Sequence, residues 1–392
     1  MLYTAAFCVS LAAGTIGLGI VFYARDVLEM SPGRVGQLAS VWSVSYVLGC
    51  IFVRPLVRSV APRHLIVIAN ALMGVTLAAL LQSKSAAWAF ATYATFGCAL
   101  SLFWPTVQGW LSTGREGPEL GRTMSRFNIA WGGANMASPY ICGWMAEQSL
   151  VLPIQVSSLL YVAVAIFVAG VGWMVPGIRN DPGRVETREA GPAEDRSSYF
   201  RFPAWVGLFA CYFGAGMIAS TFPMAGKEVL HLSERTIGGI LLVQAAANVA
   251  GFLALGKLHF WHFRLYPMNV ALLIRVAMFV LLIFVNSPVG ISLIMVVLGA
   301  TWATGYSASI FHGASGSRDR AKRMTIHESV IASAILFGGV AGAMLYERWS
   351  IRVSYGACAA VSLLGIAIQS AVAAAMKAKE RGGRTTMLNA EC

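Results

Sequence analysis

Apolar residues run in long blocks broken by short polar connectors, and twelve of the blocks approach or exceed the roughly 20 residues that a helix needs to cross a bilayer. They cover 3–23, 34–53, 65–83, 87–111, 122–146, 152–175, 203–225, 236–256, 267–286, 288–311, 324–346 and 352–376. Glycine recurs inside them, as at Gly14, Gly17, Gly132, Gly133, Gly216 and Gly338. That suits helices in lipid, where small residues let backbones approach closely. Between the sixth and seventh blocks, 178–198 is polar, carries Pro and Gly, and shows no periodicity, so it reads as a flexible linker. The pattern predicts a six-helix bundle over 1–176, a linker over 177–202, a second six-helix bundle over 203–376 and an unstructured tail over 377–392.

The pattern is also written twice. Val27-Leu28-Glu29-Met30-Ser31, with Gly36 and Gly49 beyond it, returns as Val229-Leu230-His231-Leu232-Ser233 with Gly238 and Gly251, an offset of 202 residues from 27 to 229. The same register carries Arg25-Asp26 onto Lys227-Glu228, Gly14 onto Gly216 and Gly97 onto Gly299. Slipped by two residues, it carries Met124 onto Met324 and Glu147 onto Glu347. Two related bundles of membrane helices predict a site at their interface.

Composition agrees with a membrane protein: 57% of the 392 residues are hydrophobic and 12% charged, too few charges to cover a water-exposed surface of this size. The net charge of +12 does not imply nucleic acid, because the basic residues sit in short connectors rather than on one face of soluble elements. Their distribution gives an orientation. One side receives Arg54, Arg58, Arg63, Arg115, Arg122, Arg126, the arginines of 177–201, Lys257, Arg264, the cluster Arg318 to Arg323 and the tail lysines and arginines. The other receives only Arg25, Arg34, Lys84, Lys227, Arg235, Arg348 and Arg352. The positive-inside rule then places both termini in the cytoplasm and predicts a multi-pass protein of the cytoplasmic (inner) membrane. Met1 leads almost directly into the first apolar block without a basic n-region, so that block is expected to be retained as a helix. Of the seven cysteines, six lie inside apolar blocks and none has metal-ligand spacing, so no disulfide, metal or cofactor is expected.

Twelve spans, two parallel six-helix repeats, cytoplasmic termini and a long central cytoplasmic connector together resemble the major facilitator superfamily, over essentially the whole chain. The local signatures depart from the family pattern. Where that family carries Gly-x-x-x-Asp-Arg-x-Gly-Arg-Arg after the second helix, this chain reads Arg54-Pro-Leu-Val-Arg58-Ser-Val-Ala-Pro-Arg63, with Arg58 standing where the acid is expected. Gly132 to Gly143, including Ser138-Pro139, is similar to the Gly-Pro hinge of the family's antiporters. The resemblance implies an all-α integral membrane fold of two pseudo-symmetric six-helix bundles. It also implies a rocking clamp in which the first, fourth, seventh and tenth helices line a cavity and the second, fifth, eighth and eleventh seal the bundle interface.

The repeat register singles out polar or aromatic side chains that fall at corresponding places in both halves: Trp42 with Gln244, Tyr46 with Asn248, Trp104 with Tyr306 and, in the shifted register, Asn128 with Glu328. Spacings of three and four put Trp42 with Tyr46, Gln244 with Asn248, Trp104 with Gln108, Trp302 with Tyr306, and Asn128 with Trp131 and Asn135 on shared helix faces. Facing lipid would be costly for amides, so these stripes either contact substrate or make interhelical hydrogen bonds. Glu328, beside His327, is the one acidic residue expected inside a span, and it carries a coupled proton or else forms an ion pair with Arg126 or a basic loop residue. Arg275 and Arg126 read as gating or structural charges, Arg275 with a buried partner in the second bundle. Intramembrane cations outnumber acids, which leans the substrate toward an anionic or amphipathic small molecule.

The expected function is a secondary active transporter, a symporter or antiporter, moving a small organic solute by alternating access. If transport is proton-coupled, Glu328 and His327 are the expected carriers; a monomer in the lipid bilayer is the expected state. The alternatives are a multidrug exporter, or a non-transporting sensor or assembly factor that kept the fold. An embedded enzyme would need paired Asp, HExxH or a Ser with a base inside the spans, and no such set is visible.

Overall fold

A computed structural model describes residues 1–52, 60–112, 117–174, 198–258, 260–314 and 320–390. Among the described residues, the regular elements are helices. We number them α1 (Leu2–Phe22), α2 (Pro32–Phe52), α3 (Pro62–Leu80), α4 (Ala86–Ser112), α5 (Gly117–Gln148), α6 (Leu152–Met174), α7 (Arg201–Glu228), α8 (Glu234–Lys257), α9 (Tyr266–Phe284), α10 (Pro288–Ala314), α11 (Arg320–Arg348) and α12 (Ile351–Ala390). Eleven of them are long and apolar enough, among the described residues, to cross a membrane. The exception is α5, whose Asn128, Asn135 and Ser138 lower its hydropathy. It packs between α1 and α8, so the polar face has protein to meet.

Several boundaries differ from the sequence reading. The expected tail is helical as far as Ala390, because Lys377-Ala-Lys-Glu-Arg381 are strong helix formers that extend α12 past the end of its apolar block. Elsewhere α5, α7 and α11 outrun their apolar blocks at polar ends that hydropathy does not register. Most of the loop from Arg54 to Arg63, and the linker over 175–197, fall outside the described residues.

The helix partners repeat. α1 packs on α5 and α6, α2 on α4, and α3 on α4 and α6; six helices later α7 packs on α11 and α12, α8 on α10, and α9 on α10 and α12. The halves meet chiefly through α5 against α8 and α2 against α11. Because successive helices run in alternate directions, both chain ends lie on one face, here called the terminal face. The opposite one is the far face.

The duplicated sequence explains the duplicated geometry. Val27 to Ser31 ends α1, through a π-helical turn at Tyr23–Val27, and Val229 to Ser233 ends α7. Each connection passes through a left-handed residue at the same repeat position, Glu29 with φ 52° and His231 with φ 51°. The Met30 amide then donates to the Ala24 carbonyl at 3.0 Å and the Leu232 amide to the Gly226 carbonyl at 2.8 Å. Ser233 caps α8, its hydroxyl accepting from the Thr236 amide at 3.3 Å.

Within each half the second and fourth helices touch backbone to backbone. A Cβ at Gly97 would run into the Trp42 carbonyl oxygen, and one at Gly299 into the Gln244 carbonyl oxygen, the repeat partner of the first contact. Apolar burial supplies little attraction between helices already in lipid, so such close crossings carry the packing. The cores of the halves hold Ile16, Leu38, Phe96, Phe103 and Tyr161 on one side and Met217, Phe222, Phe279 and Met295 on the other. Outward-facing Phe7, Val75, Ile166, Phe284 and Leu293 are exposed, as acyl-chain contacts would be.

Candidate functional site

Near the terminal face, aromatic side chains from both halves surround a single carboxylate. In the second half, the Tyr306 ring on α10 lies 6.3 Å from Tyr212 of α7, 5.2 Å from Phe252 of α8 and 5.0 Å from His327 of α11. Trp302, one turn earlier on α10, meets Tyr212 edge to face at 5.1 Å. In the first half, Trp42 and Tyr46 pack edge to face at 6.3 Å on α2, and Trp104 of α4 meets Phe127 of α5 at 6.0 Å. Glu328 on α11 lies within electrostatic reach of Tyr46 and Cys50 on α2, and of Tyr212 and Tyr306 on the other half.

Glu328 is nonetheless exposed. An exposed carboxylate with neighbours on three other helices, drawn from both halves, stands in an opening between them. Gly132 and Gly133 on α5 also have open space where a Cβ would project. The ion pair weighed between Glu328 and Arg126 does not form; both side chains are exposed, and neither makes a salt bridge among the described residues.

The adjacent histidine points elsewhere. His327 is 1% exposed, and its Nδ1 lies 2.8 Å from the Ser309 hydroxyl, tying α11 to α10. Of the amides, Gln244 is buried where α8 crosses α10, and the Asn248 side chain donates to the Gly299 carbonyl at 3.3 Å. Asn135 packs beside Gly14 of α1, and Trp131 is half-buried on the same helix. The side chains of Gln108 and Asn128 lie outside the described residues.

Arg275 is 2% exposed and makes no contact with the opening. It donates to the Cys211 carbonyl on α7 at 3.0 Å and to the Leu298 carbonyl on α10 at 3.3 Å, with its guanidinium 5.4 Å from the Phe279 ring centre. Its partners are thus carbonyl oxygens, the Thr301 hydroxyl at 3.4 Å and an aromatic face rather than an acid.

At the far face a second set of residues joins the halves. Arg25 bonds Glu228, and Lys227 donates to Asp26 at 2.7 Å while also pairing with Glu234. Since Arg25-Asp26 and Lys227-Glu228 are repeat partners, the two cross-half ion pairs are images of each other. A second symmetric couple lies beside them: the Gly33 amide donates to Glu347 at 2.9 Å and the Arg235 amide to Glu147 at 3.3 Å. Tyr346 donates to Glu228 at 2.6 Å and Arg235 donates to the Tyr140 hydroxyl at 2.9 Å. Beneath this layer, Gly36 lies against Ala343 and Gly339, and Gly238 against the Pro139 carbonyl. A crevice of about 440 Å³ opens beside the clasp, between Tyr140, Arg235 and Ser292, and has no part in the aromatic opening.

None of the clasp residues stood among the candidate site residues, although the signal was present. The repeat register pairs polar or aromatic side chains within the spans, whereas the clasp pairs lie at helix ends, where they mark only the register. Tyr212 was missed because its repeat partner is Ser10, small and buried.

A family model described as Major Facilitator Superfamily matches residues 2–312. Among solved structures, the chain is similar to the nucleoside transporter NupG, with a TM-score of 0.75 at 11% identity over 95% of this chain and 98% of that one. It is also similar to a bacterial homologue of the human lysosomal transporter Spinster in an inward-facing and occupied conformation, with a TM-score of 0.71 at 13% identity over 95% of this chain and 94% of that one. At these identities the likeness is one of fold. No curated protein matches the chain in sequence.

Proposed function

The chain belongs to the major facilitator superfamily, as a secondary transporter of that fold, and from this premise we propose that it moves a small organic solute through the aromatic opening around Glu328. The observation that carries the reading is the asymmetry of the bundle interface. The far face is held shut by symmetric ion pairs and glycine crossings, while an exposed carboxylate stands between the halves near the terminal face. The Lys and Arg distribution supports a cytoplasmic terminal face, so this conformation is inward-open in the inner membrane. Trp42, Tyr46, Trp104, Tyr212, Trp302 and Tyr306 form the walls of the substrate site. The clasp is the outer gate, which must part when the inner side closes. Family membership favours turnover over a sensor, an assembly factor or an embedded enzyme.

Single cysteines replacing Trp104 or Tyr306 in the full chain test the reading. In proteoliposomes, each is expected to react with impermeant maleimide from one side or the other according to the imposed gradient. Permanent protection from both sides would overturn it.

Glu328 is the titratable acid of the opening, faced by Tyr46, Cys50, Tyr212 and Tyr306 with His327 beside it, and supports proton coupling. Glu328→Gln cannot exchange a proton, so pH-gradient-driven accumulation is expected to disappear while downhill exchange persists. Accumulation that survives the substitution would remove Glu328 from coupling.

The clasp gives a further expected result. Its ion pairs are about a third exposed, so each is worth only about 0–1 kcal/mol. Asp26→Lys sets two lysines together and is expected to raise far-side labelling of a Trp104→Cys reporter by about twofold to fivefold, which Lys227→Asp in the same chain restores. No change in labelling would exclude the pair from the gate.

A further inference from the structure

Resting on the transport reading, we propose that the site takes an organic cation with an apolar body rather than an anion. The lean toward anions came from counting intramembrane cations, and among the described residues none of those cations pairs with Glu328. Arg275 is buried, with its two terminal nitrogens donating to the Cys211 and Leu298 carbonyls and the Thr301 hydroxyl and its face to Phe279. Arg126 is exposed but makes no ion pair with Glu328. The buried imidazole of His327 has its Nδ1 on the Ser309 hydroxyl and its ring against Tyr306.

What remains in the opening is a carboxylate with no counter-charge among the described residues. Around it stand the faces and edges of Tyr46, Tyr212 and Tyr306, with Trp42, Trp302 and Phe252 behind them. A carboxylate without a counter-charge attracts a cation entering beside it, the more so as the ligand displaces water from between the two charges. Aromatic rings add attraction for the same sign of charge, because the ring quadrupole presents its negative face to a cation. Apolar parts of the ligand pack against those same rings. Among the described residues no cation stands beside Glu328 to hold an organic anion, and the carboxylate itself would repel one. Both halves contribute, with α2 on one side and α7, α10 and α11 on the other, so the ligand would bridge the two bodies that move.

The test compares two probes of the same shape and opposite charge, tetraphenylphosphonium and tetraphenylborate. Their binding to the purified full-length chain is followed by calorimetry and by quenching of tryptophan fluorescence. Tetraphenylphosphonium is expected to bind at least about tenfold more tightly, a difference within reach of one carboxylate plus cation–π contact. Glu328→Gln should weaken that binding by about tenfold or more, with Glu328→Asp retaining part of it, while the melting temperature stays near that of the parent chain.

Equal or tighter binding of tetraphenylborate would overturn the proposal. So would unchanged tetraphenylphosphonium affinity in Glu328→Gln, or no binding of tetraphenylphosphonium by folded protein. These failures are separate from failure of the transport reading, which depends on two-sided accessibility at Trp104 and Tyr306 whatever the ligand is.

Discussion

Replacing Gly36 with leucine is expected to prise the far face open and stop turnover while leaving each half folded. A Cβ at Gly36 would run into Ala343 and lie 2.9 Å from the Gly339 carbonyl, both on α11 of the other half. The crowding can be relieved by parting the halves, which unfolds neither. Overpacking of this kind costs about 1–3 kcal/mol. Charged against the closed state alone, it shifts the balance between far-closed and far-open forms by about tenfold to a hundredfold. Gly238→Leu acts at the mirror position, where the Pro139 carbonyl of α5 is the obstacle. The readouts are solute flux, far-side labelling of a Trp104→Cys reporter and melting temperature.

Gly97→Leu provides the contrast, since its obstacle is the Trp42 carbonyl within the same half, and no movement of whole halves relieves it. That variant should lose stability. If Gly36→Leu instead melts like Gly97→Leu, or keeps parental flux and labelling, the far-face crossing is not a gate.

The second large effect is expected at Arg275. Arg275→Ala removes a nearly fully buried side chain that fills the space between α7, α9 and α10, and large-to-small changes of this kind cost about 2–5 kcal/mol. Arg275→Lys is expected to recover little. One ammonium on a flexible stem cannot reproduce a planar guanidinium that reaches carbonyls on two helices and lies over the Phe279 ring. The site is closed on its other side as well: a Cβ at Gly214 would sit 2.7 Å from the Arg275 guanidinium and 2.8 Å from the Phe279 ring, so Gly214→Ala should lower the melting temperature in the same direction. A melting temperature in Arg275→Ala equal to that of the parent, with unchanged flux, would show that Arg275 does not hold the second half together.

The repeat gave more than register. Glycines recurring at 36 and 238, and at 97 and 299, are small because two backbones meet there, and the same helices meet in each half. Glu29 and His231 recur as the left-handed residues of two connections that are images of each other. These constraints are local or act through a single neighbouring helix, so they leave marks at fixed spacing along the chain. The polar stripe of α5 was visible too, although it disguised that helix as a weak span.

By itself, the sequence determined the number of helices, their grouping into two related sets and the sidedness of the basic charge. Each of these is a property of runs and repeats against a slab of fixed thickness. Tertiary structure alone decided what each polar group does. It turned His327 toward Ser309 and Glu328 toward the opening, though they are neighbours in the chain, because adjacent helical residues point about 100° apart. It spent Arg275 on carbonyls from helices far away in sequence. It also crossed Arg25-Asp26 with Lys227-Glu228, a pairing set by how two folded halves lean together and not by any interaction between near neighbours in the chain.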